Sequence, residues 1–337
     1  KTTTRALIAL AIAELGPVHQ TVGNLNNHLG VPMTLLATPE DAAALVVEMG
    51  TSSHGEIALL ADIARPTVRM VLNIGPAHLL ELGGLEGVAR EKGQLLLTMA
   101  PDDVGVVNLD DPYVAKMVVP GRRITWGTGG HITLLSAEID AETLHTRAVF
   151  GTPEGELSCT IPAPGAHFAH NAAGALAVAF ALGLDLRRAA KAMEAYEPVG
   201  MRLRSEALPN GVTALNDAYN ANPQSMEASL RVLASLPGRR IAVLGDMLEL
   251  GGDEARWHAE IVALAVSLNL DLVVLVGARM SAVPAPETLR FVDWQDAVEP
   301  LRDFLQTGDR VLFKGSRGAR MERILHALRD ETPAGGR

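Results

Sequence analysis

The run Lys1-Thr2-Thr3-Thr4, leading into Ala6-Leu7-Ile8-Ala9-Leu10-Ala11-Ile12, sets the reading of this chain. A lysine followed by threonine at the start of an apolar helix has the order of the back half of a phosphate-binding loop. In such a loop the ammonium reaches the terminal phosphates, a hydroxyl ligates Mg²⁺ and the helix N-terminus faces the anion. The glycines and the strand that would complete the loop do not precede it. Taken alone, the signal is weak, since a lysine at a chain start is usually a solvated terminus, and the rest of the chain has to decide.

Beyond this run the chain alternates strands with helices. Ala44-Leu45-Val46-Val47-Glu48, Val68-Arg69-Met70-Val71-Leu72-Asn73 and Val104-Gly105-Val106-Val107-Asn108 are short apolar runs, each ending on a polar residue. Helical patterns over 56–64 and 85–99 lie between them. That rhythm predicts βαβ units and a parallel sheet, with ligands beyond the carboxyl ends of the strands, where Glu48, Asn73 and Asn108 stand. Over 124–161 the pattern turns to short strands and glycine turns, which predicts an antiparallel patch. Helices are expected over 167–182 and 186–196, and Glu197-Pro198-Val199-Gly200 marks a domain boundary.

The βα theme then returns in a smaller format. Val212 to Asp217 leads to a helix from Pro223, with Asn222 as N-cap and proline at N1. Ile241 to Asp246 leads to a helix over 254–268, Leu272 to Val276 is a buried strand, and Arg310 to Phe313 leads into Lys314-Gly315-Ser316-Arg317 and a last helix ending near Leu328. The fold class is therefore α/β, with domains over 1–198 and 199–337.

Composition excludes several classes. Hydrophobic residues at 48% and charged ones at 20% describe a globular protein, and no apolar run approaches a membrane span. The single cysteine, Cys159, forms no internal disulfide, as in a reducing cytoplasm. A net charge of −10 without a basic stripe argues against nucleic acid.

Several residues can carry chemistry. Glu48 ends a strand, where a carboxylate can hold a nucleotide's Mg²⁺ or simply face water. His78 comes after the next strand and Lys92 lies on the helix beyond it. Asn24, Asn26 and Asn27 form a turn-rich loop whose amides could also meet a diphosphate. Asp217, Tyr219, Asn220 and Asn222 cluster in a βα loop that suits a polar ligand and equally suits helix capping. Lys314 to Arg317, before a helix, reads as an anion receptor or as solvated charge.

Together these stretches resemble the Mur ligases of bacterial cell-wall synthesis. The matching runs are GNLNNHLGVPMTLL from Gly23, EMGTSSHGEI from Glu48, NIGPAH from Asn73, EGVAREKGQLL from Glu86, GMRL from Gly200, NDAYNANPQSM from Asn216, VLGDMLELG from Val243 and KGSRGARME from Lys314. They span nearly the whole chain in family order. The last three point to the branch that accepts D-alanyl-D-alanine.

The resemblance implies a central P-loop-type ATPase domain and a Rossmann-like C-terminal domain, with a further N-terminal domain ahead of them. It implies that ATP phosphorylates the free carboxylate of UDP-N-acetylmuramoyl-tripeptide and that the amine of D-alanyl-D-alanine displaces phosphate. Lys1, Thr2 and Thr3 would meet the ATP phosphates, and Thr2 and Glu48 a first Mg²⁺. His78 would hold a second Mg²⁺, next to Lys92, which matches a lysine that family members carbamylate. Asn171 would approach adenine, Asp217 ribose, and Arg202 the phosphates. Asn24 and Asn27 would face the muramoyl substrate. Tyr219, Asn222, Asp246, Glu249, Ser316 and Arg317 complete the substrate contacts. A cytoplasmic monomer is implied. The chain departs from the family pattern at Phe168, where many relatives have Asn, and at Leu80, where they have Glu. A sister Mur ligase, a folylpolyglutamate synthase and a nucleotide-binding regulatory module stay open as alternatives.

Overall fold

The computed structural model describes residues 1–76 and 79–330, with Leu79 and Leu80 through their backbone alone. The expectations placed on His78, on the Leu80 side chain and on the Pro/Gly-rich tail after Asp330 lie outside the described residues. The chain divides into two compact units, Lys1–Glu197 and Pro198–Arg337.

The first unit opens with helix α1 (Thr2–Ala11), then β1 (Val18–Gln20), α2 (Gly30–Leu36), β2 (Ala44–Val46), α3 (Glu56–Ala64), β3 (Val68–Val71), α4 (Leu79–Leu82), α5 (Leu85–Leu97), β4 (Val104–Asn108) and β5 (Arg122–Trp126). The hairpins β6 (Thr133–Ile139), β7 (Thr146–Thr152) and β8 (Gly155–Ile161) come next, and helices α6 (Ala166–Ala181) and α7 (Leu186–Met193) close the unit. Strands β1 and β2 pair in parallel, and β3, β4 and β5 form a second parallel group.

The 124–161 stretch, expected as one antiparallel patch, is thus divided. Ile124 and Trp126 are buried in the parallel sheet beside β4, and only β6–β7–β8 is antiparallel. The turn glycines that suggested hairpins begin at Gly127, after that strand has ended.

Helix α6 is alanine-rich and buried around most of its circumference, as a helix apolar on every side must be. Its small residues let the sheet approach closely. A Cβ at Gly174 would sit 2.5 Å from Met70 Cε and 3.4 Å from the Trp126 ring. α1 packs along α6, so the first turn of α1 is held against a rigid layer.

The second unit is one six-stranded sheet with helices around it. In chain order it contains β9 (Arg204–Ala207), β10 (Thr213–Asp217), α8 (Pro223–Ser235), β11 (Arg240–Gly245), α9 (Glu254–Ser267), β12 (Leu272–Val276), β13 (Thr288–Phe291), α10 (Val298–Phe304), β14 (Arg310–Lys314) and α11 (Glu322–Arg329). The spatial order is β13-β12-β11-β14-β10-β9, parallel throughout except for β9. The inner strands are buried on both faces, which explains their unbroken apolar runs. β14 is inserted between β11 and β10. That placement brings the loops after Asp217, Gly245 and Lys314 side by side at the carboxyl edge, the ligand edge of open α/β sheets.

Candidate functional site

In the first unit the polar groups gather around the start of α1. Lys1 is its N-cap, and Thr2 is buried in the first turn. One turn on, Arg5 is buried and sends its guanidinium to Gln20 Oε1 at 3.1 Å, to the Gly23 carbonyl at 3.4 Å and to Glu48 Oε2 at 3.4 Å. Asn26 donates its amide to Glu48 Oε1 at 2.9 Å, and the Glu48 N–H donates to Thr21 Oγ1 at 2.9 Å. Glu48 is only 6% exposed, so this carboxylate does not face bulk water. A buried charge needs such partners, and Arg5 supplies the opposite charge.

The three asparagines of the GNLNNHLG loop part ways. Asn26 holds Glu48. Asn27 caps α2 by accepting from Leu29 N at 3.1 Å and Gly30 N at 2.9 Å. Asn24 is exposed.

Lys92 lies on α5 and donates from Nζ to the Asn73 carbonyl, beyond β3, at 3.0 Å. Burial, reinforced by the charge of Lys1, pushes its ammonium from the usual 10.5 down to about 8, while Asp111 pulls the other way. Lys1, at the start of α1, is thus near enough for its charge to act on Lys92 of α5. Asp111 is itself fixed, accepting from Ile74 N at 2.7 Å and Val114 N at 2.9 Å. Next to Lys92, the buried carboxylate of Glu91 accepts from Gly55 N and Ile57 N, both at 2.8 Å, and so caps α3. Glu56 wraps the preceding turn through Ser52 N and Ser53 N, which hold its carboxyl below the usual range despite the opposing effect of burial.

On α6, Asn171 accepts from Thr4 Oγ1 at 3.1 Å, which joins the expected adenine residue to the first turns of α1. Phe168 is buried against the rings of Tyr196 and His167. It belongs to the core and offers no edge to a purine. His170 tilts over Trp126 with centroids 4.5 Å apart, and its Nε2 is 3.8 Å from Asp110 Oδ2. Desolvation lowers its pKa.

Mg²⁺ takes oxygen ligands, commonly one or two carboxylates with phosphates. The Thr2 hydroxyl and the Glu48 carboxylate are of that kind, and two accepted hydrogen bonds leave Glu48 with lone pairs to spare. Both are donors of the chemical kind that such an ion takes. A second ion would draw on His78, and among the described residues there is no cluster of three or more His, Cys, Asp or Glu side chains that could hold a metal.

In the second unit the expected substrate residues separate into buried ties and exposed groups. Asp217, 9% exposed, accepts from Leu203 N at 3.1 Å, Ser229 Oγ at 2.6 Å and Lys314 Nζ at 2.5 Å. Lys314 is 2% exposed and also donates to the Asn220 carbonyl at 3.1 Å. Its place in an anion receptor is corrected accordingly, because its charge is spent inside the sheet. The stretch leads first into a single 3₁₀ turn over Arg317–Ala319, and the α-helix α11 starts only at Glu322.

Asn222 caps α8 in a reciprocal box with Ser225. Ser316, buried, donates to the Ala221 carbonyl at 3.2 Å and accepts from Leu248 N at 2.9 Å. Asp246 accepts from Arg279 N at 3.1 Å and Met280 N at 2.7 Å. The outward groups are Glu249, Arg317, which bonds Glu322 at 3.0 Å, and the half-buried Tyr219, whose ring lies 4.3 Å beneath the Arg202 guanidinium.

Sequence reasoning passed over Arg5, Glu91, His258 and the inward role of Lys314. A cation inside an apolar helix or at the end of a fully buried strand was the available signal, since such a charge must have a partner.

Comparison with known proteins covers nearly the whole chain. The Mur ligase middle domain matches residues 1–179, and the Mur ligase, glutamate ligase domain matches residues 201–317. The chain is 34% identical to the UDP-N-acetylmuramoyl-tripeptide–D-alanyl-D-alanine ligase of Bacillus subtilis, over 97% of this chain and 73% of that protein. A crystal structure of MurF from Acinetobacter baumannii superposes with a TM-score of 0.92 at 32% identity, covering 98% of this chain and 74% of that one. MurF from Thermotoga maritima, solved in complex with ADP, gives 0.88 at 28% identity over 98% and 77% of the two chains.

Proposed function

The chain belongs to the Mur ligase family, and from that premise we propose that it is an ATP-dependent ligase joining D-alanyl-D-alanine to UDP-N-acetylmuramoyl-tripeptide in peptidoglycan synthesis. The observation that carries this reading is likeness along 97% of the chain to a ligase of that name, rather than a match of one domain. ATP use accords with the ADP complex of a similar protein.

A carboxylate is inert to amines until one oxygen becomes a leaving group. In the proposed mechanism the tripeptide carboxylate attacks the γ-phosphorus of ATP. An O–P bond forms and the bond to ADP breaks. The neutral amine of the dipeptide then attacks the acyl carbon: a C–N bond forms, the nitrogen gives up a proton, and the C–O bond to phosphate breaks.

Catalysis of such a transfer is positioning and charge stabilisation. Lys1 and the amides of the α1 first turn would neutralise the phosphates, with Thr3 beside them. Thr2 and Glu48 would hold a Mg²⁺, which when bound offsets phosphate charge. A second Mg²⁺, with His78 and a carbamylated Lys92, is part of the same proposal. Arg5 and Asn26 would keep Glu48 in place. Asn171 would meet the base, and Arg202 and Asp217 carry the other nucleotide assignments. Asn24 and Asn27 would face the muramoyl group. Asn222, Asp246 and Ser316 would shape the acceptor loops, while Tyr219, Glu249 and Arg317 are the groups left to contact the dipeptide. A monomer in the bacterial cytoplasm is the accompanying proposal. No helix among the described residues is long and apolar enough to cross a membrane.

The reading is tested by phosphate release from ATP in full-length protein with UDP-N-acetylmuramoyl-tripeptide. Release should require D-alanyl-D-alanine and keep pace with amide formation; release indifferent to the dipeptide rejects it. In Arg317→Ala, the dipeptide KM should rise roughly 10–100-fold, as for a lost charged hydrogen bond, with the KM for ATP little changed. An equal change in both constants would take Arg317 out of the acceptor site.

A further inference from the structure

Residues 246–250 come directly after the central strand β11 and carry two of the side chains assigned to the acceptor. Three consecutive points of this loop are tied to three different elements. The Asp246 carboxylate receives Arg279 N and Met280 N from the turn after β12. The Met247 N–H donates to His258 Nε2 at 3.0 Å, on α9. The Leu248 N–H donates to Ser316 Oγ at 2.9 Å, after β14. The next residue, Glu249, is exposed with φ +64°, a left-handed conformation that a non-glycine residue keeps only where its surroundings impose it.

Of the three ties, the one at His258 has the least latitude. The side chain is 1% exposed, so no water competes for it. Its Nδ1 lies 2.8 Å from the Glu254 carbonyl, one helical turn back, and a carbonyl can only accept. Nδ1 therefore carries the proton, and Nε2 presents its lone pair to the Met247 amide. The opposite tautomer would set two hydrogens against each other at Met247 and two lone pairs against each other at Glu254. The α9 backbone thus selects the ring's tautomer, and the tautomer selects where the loop amide points. Arg279 adds a brace, pairing with Glu254 and lying 3.7 Å from Asp246.

We infer that His258 is a positioning residue for the acceptor subsite: its neutral imidazole pins the Met247 amide and so fixes the direction in which Leu248 and Glu249 are presented. This rests on the ligase reading for the identity of the acceptor, while the pin itself rests only on the hydrogen bonds.

Two variants of the full-length protein separate positioning from packing. The amide oxygen of Gln can stand near where Nε2 accepts, whereas that of Asn falls short of Met247. His258→Asn should raise the KM for D-alanyl-D-alanine about tenfold with the KM for ATP within about twofold, the size of one lost hydrogen bond. His258→Gln should stay within about threefold on both. If Asn and Gln shift both constants alike, or if both leave the dipeptide KM unchanged, the inference is overturned. Should the Asn variant fail to fold, wild-type NMR decides. An imidazole protonated at Nδ1 with a slowly exchanging Met247 amide supports the pin, and an Nε2-protonated ring or a rapidly exchanging amide removes it. A wild-type enzyme that makes no amide bond with D-alanyl-D-alanine would discard the acceptor reading, with the NMR result still deciding the pin.

Discussion

In a Lys92→Ala variant of the full-length enzyme, amide formation should fall by about 10²–10³-fold, the scale on which one oriented electrostatic group contributes, and added bicarbonate should not restore it. The expectation starts from burial. Lys92 is held against the Asn73 carbonyl with Lys1 as a like-charged neighbour, and both effects disfavour its ammonium. A pKa lowered to about 8 means that a substantial part of this lysine is neutral amine at moderately alkaline pH. Only the neutral amine adds carbon dioxide, forming an N–C bond and releasing a proton, and the product exchanges a positive group for a negative one. The folded-state pKa lies below the unfolded value, so the ammonium burdens the fold most below about pH 8, and that burden fades as pH rises toward 10.5. In the wild type, a carbamate signal from ¹³C-bicarbonate should therefore grow as pH passes through about 8. Wild-type turnover in Lys92→Ala would refute the role outright. A lysine whose carbon signal never changes would leave it as a plain cation.

The second large effect is on stability. Lys314→Met should destabilise the second unit by about 3–5 kcal/mol, the usual consequence of removing one partner of a buried ion pair. Lys314 and Asp217 meet at paired positions of neighbouring parallel strands, β14 and β10, and both are largely buried. Removing the ammonium leaves Asp217 as an uncompensated charge and frees the Asn220 carbonyl. Combining Lys314→Met with Asp217→Asn should recover most of the loss, since the amide oxygen can keep the Leu203 N–H while the new NH2 donates to the Ser229 hydroxyl, whose own hydrogen can go to the Ser225 carbonyl. Denaturant unfolding of the two single variants and the double one reads this as a coupling energy. Additive losses would show that the pair is not the reason both residues are buried.

Much of the fold was legible because hydrophobic period is a local property. The 56–64 helix, the Leu272–Val276 strand and the proline-started α8 arise from spacing and capping alone. The strands Val18–Gln20 and β13 were not legible, since Val-His-Gln and Thr-Leu-Arg-Phe mix polar with apolar residues and lack the longer apolar run that marks the equally short β2 and β3. The carboxyl ends of the strands were also legible, and with them the positions of Glu48, Asn73 and Asn108.

What the sequence by itself determined was the order of elements and the kinds of side chain that reach each sheet edge. Only the tertiary structure decided which of those side chains turn inward. Phe168, Asp217, Ser316 and Lys314 stood in polar loops or motif stretches, yet each is buried. The reason is one of sequence distance. Local period depends on neighbours three or four residues away, but Lys314 finds Asp217 across 97 positions and Ser316 finds Ala221 across 95. Partners that far apart are brought together only when β14 enters the sheet between β10 and β11.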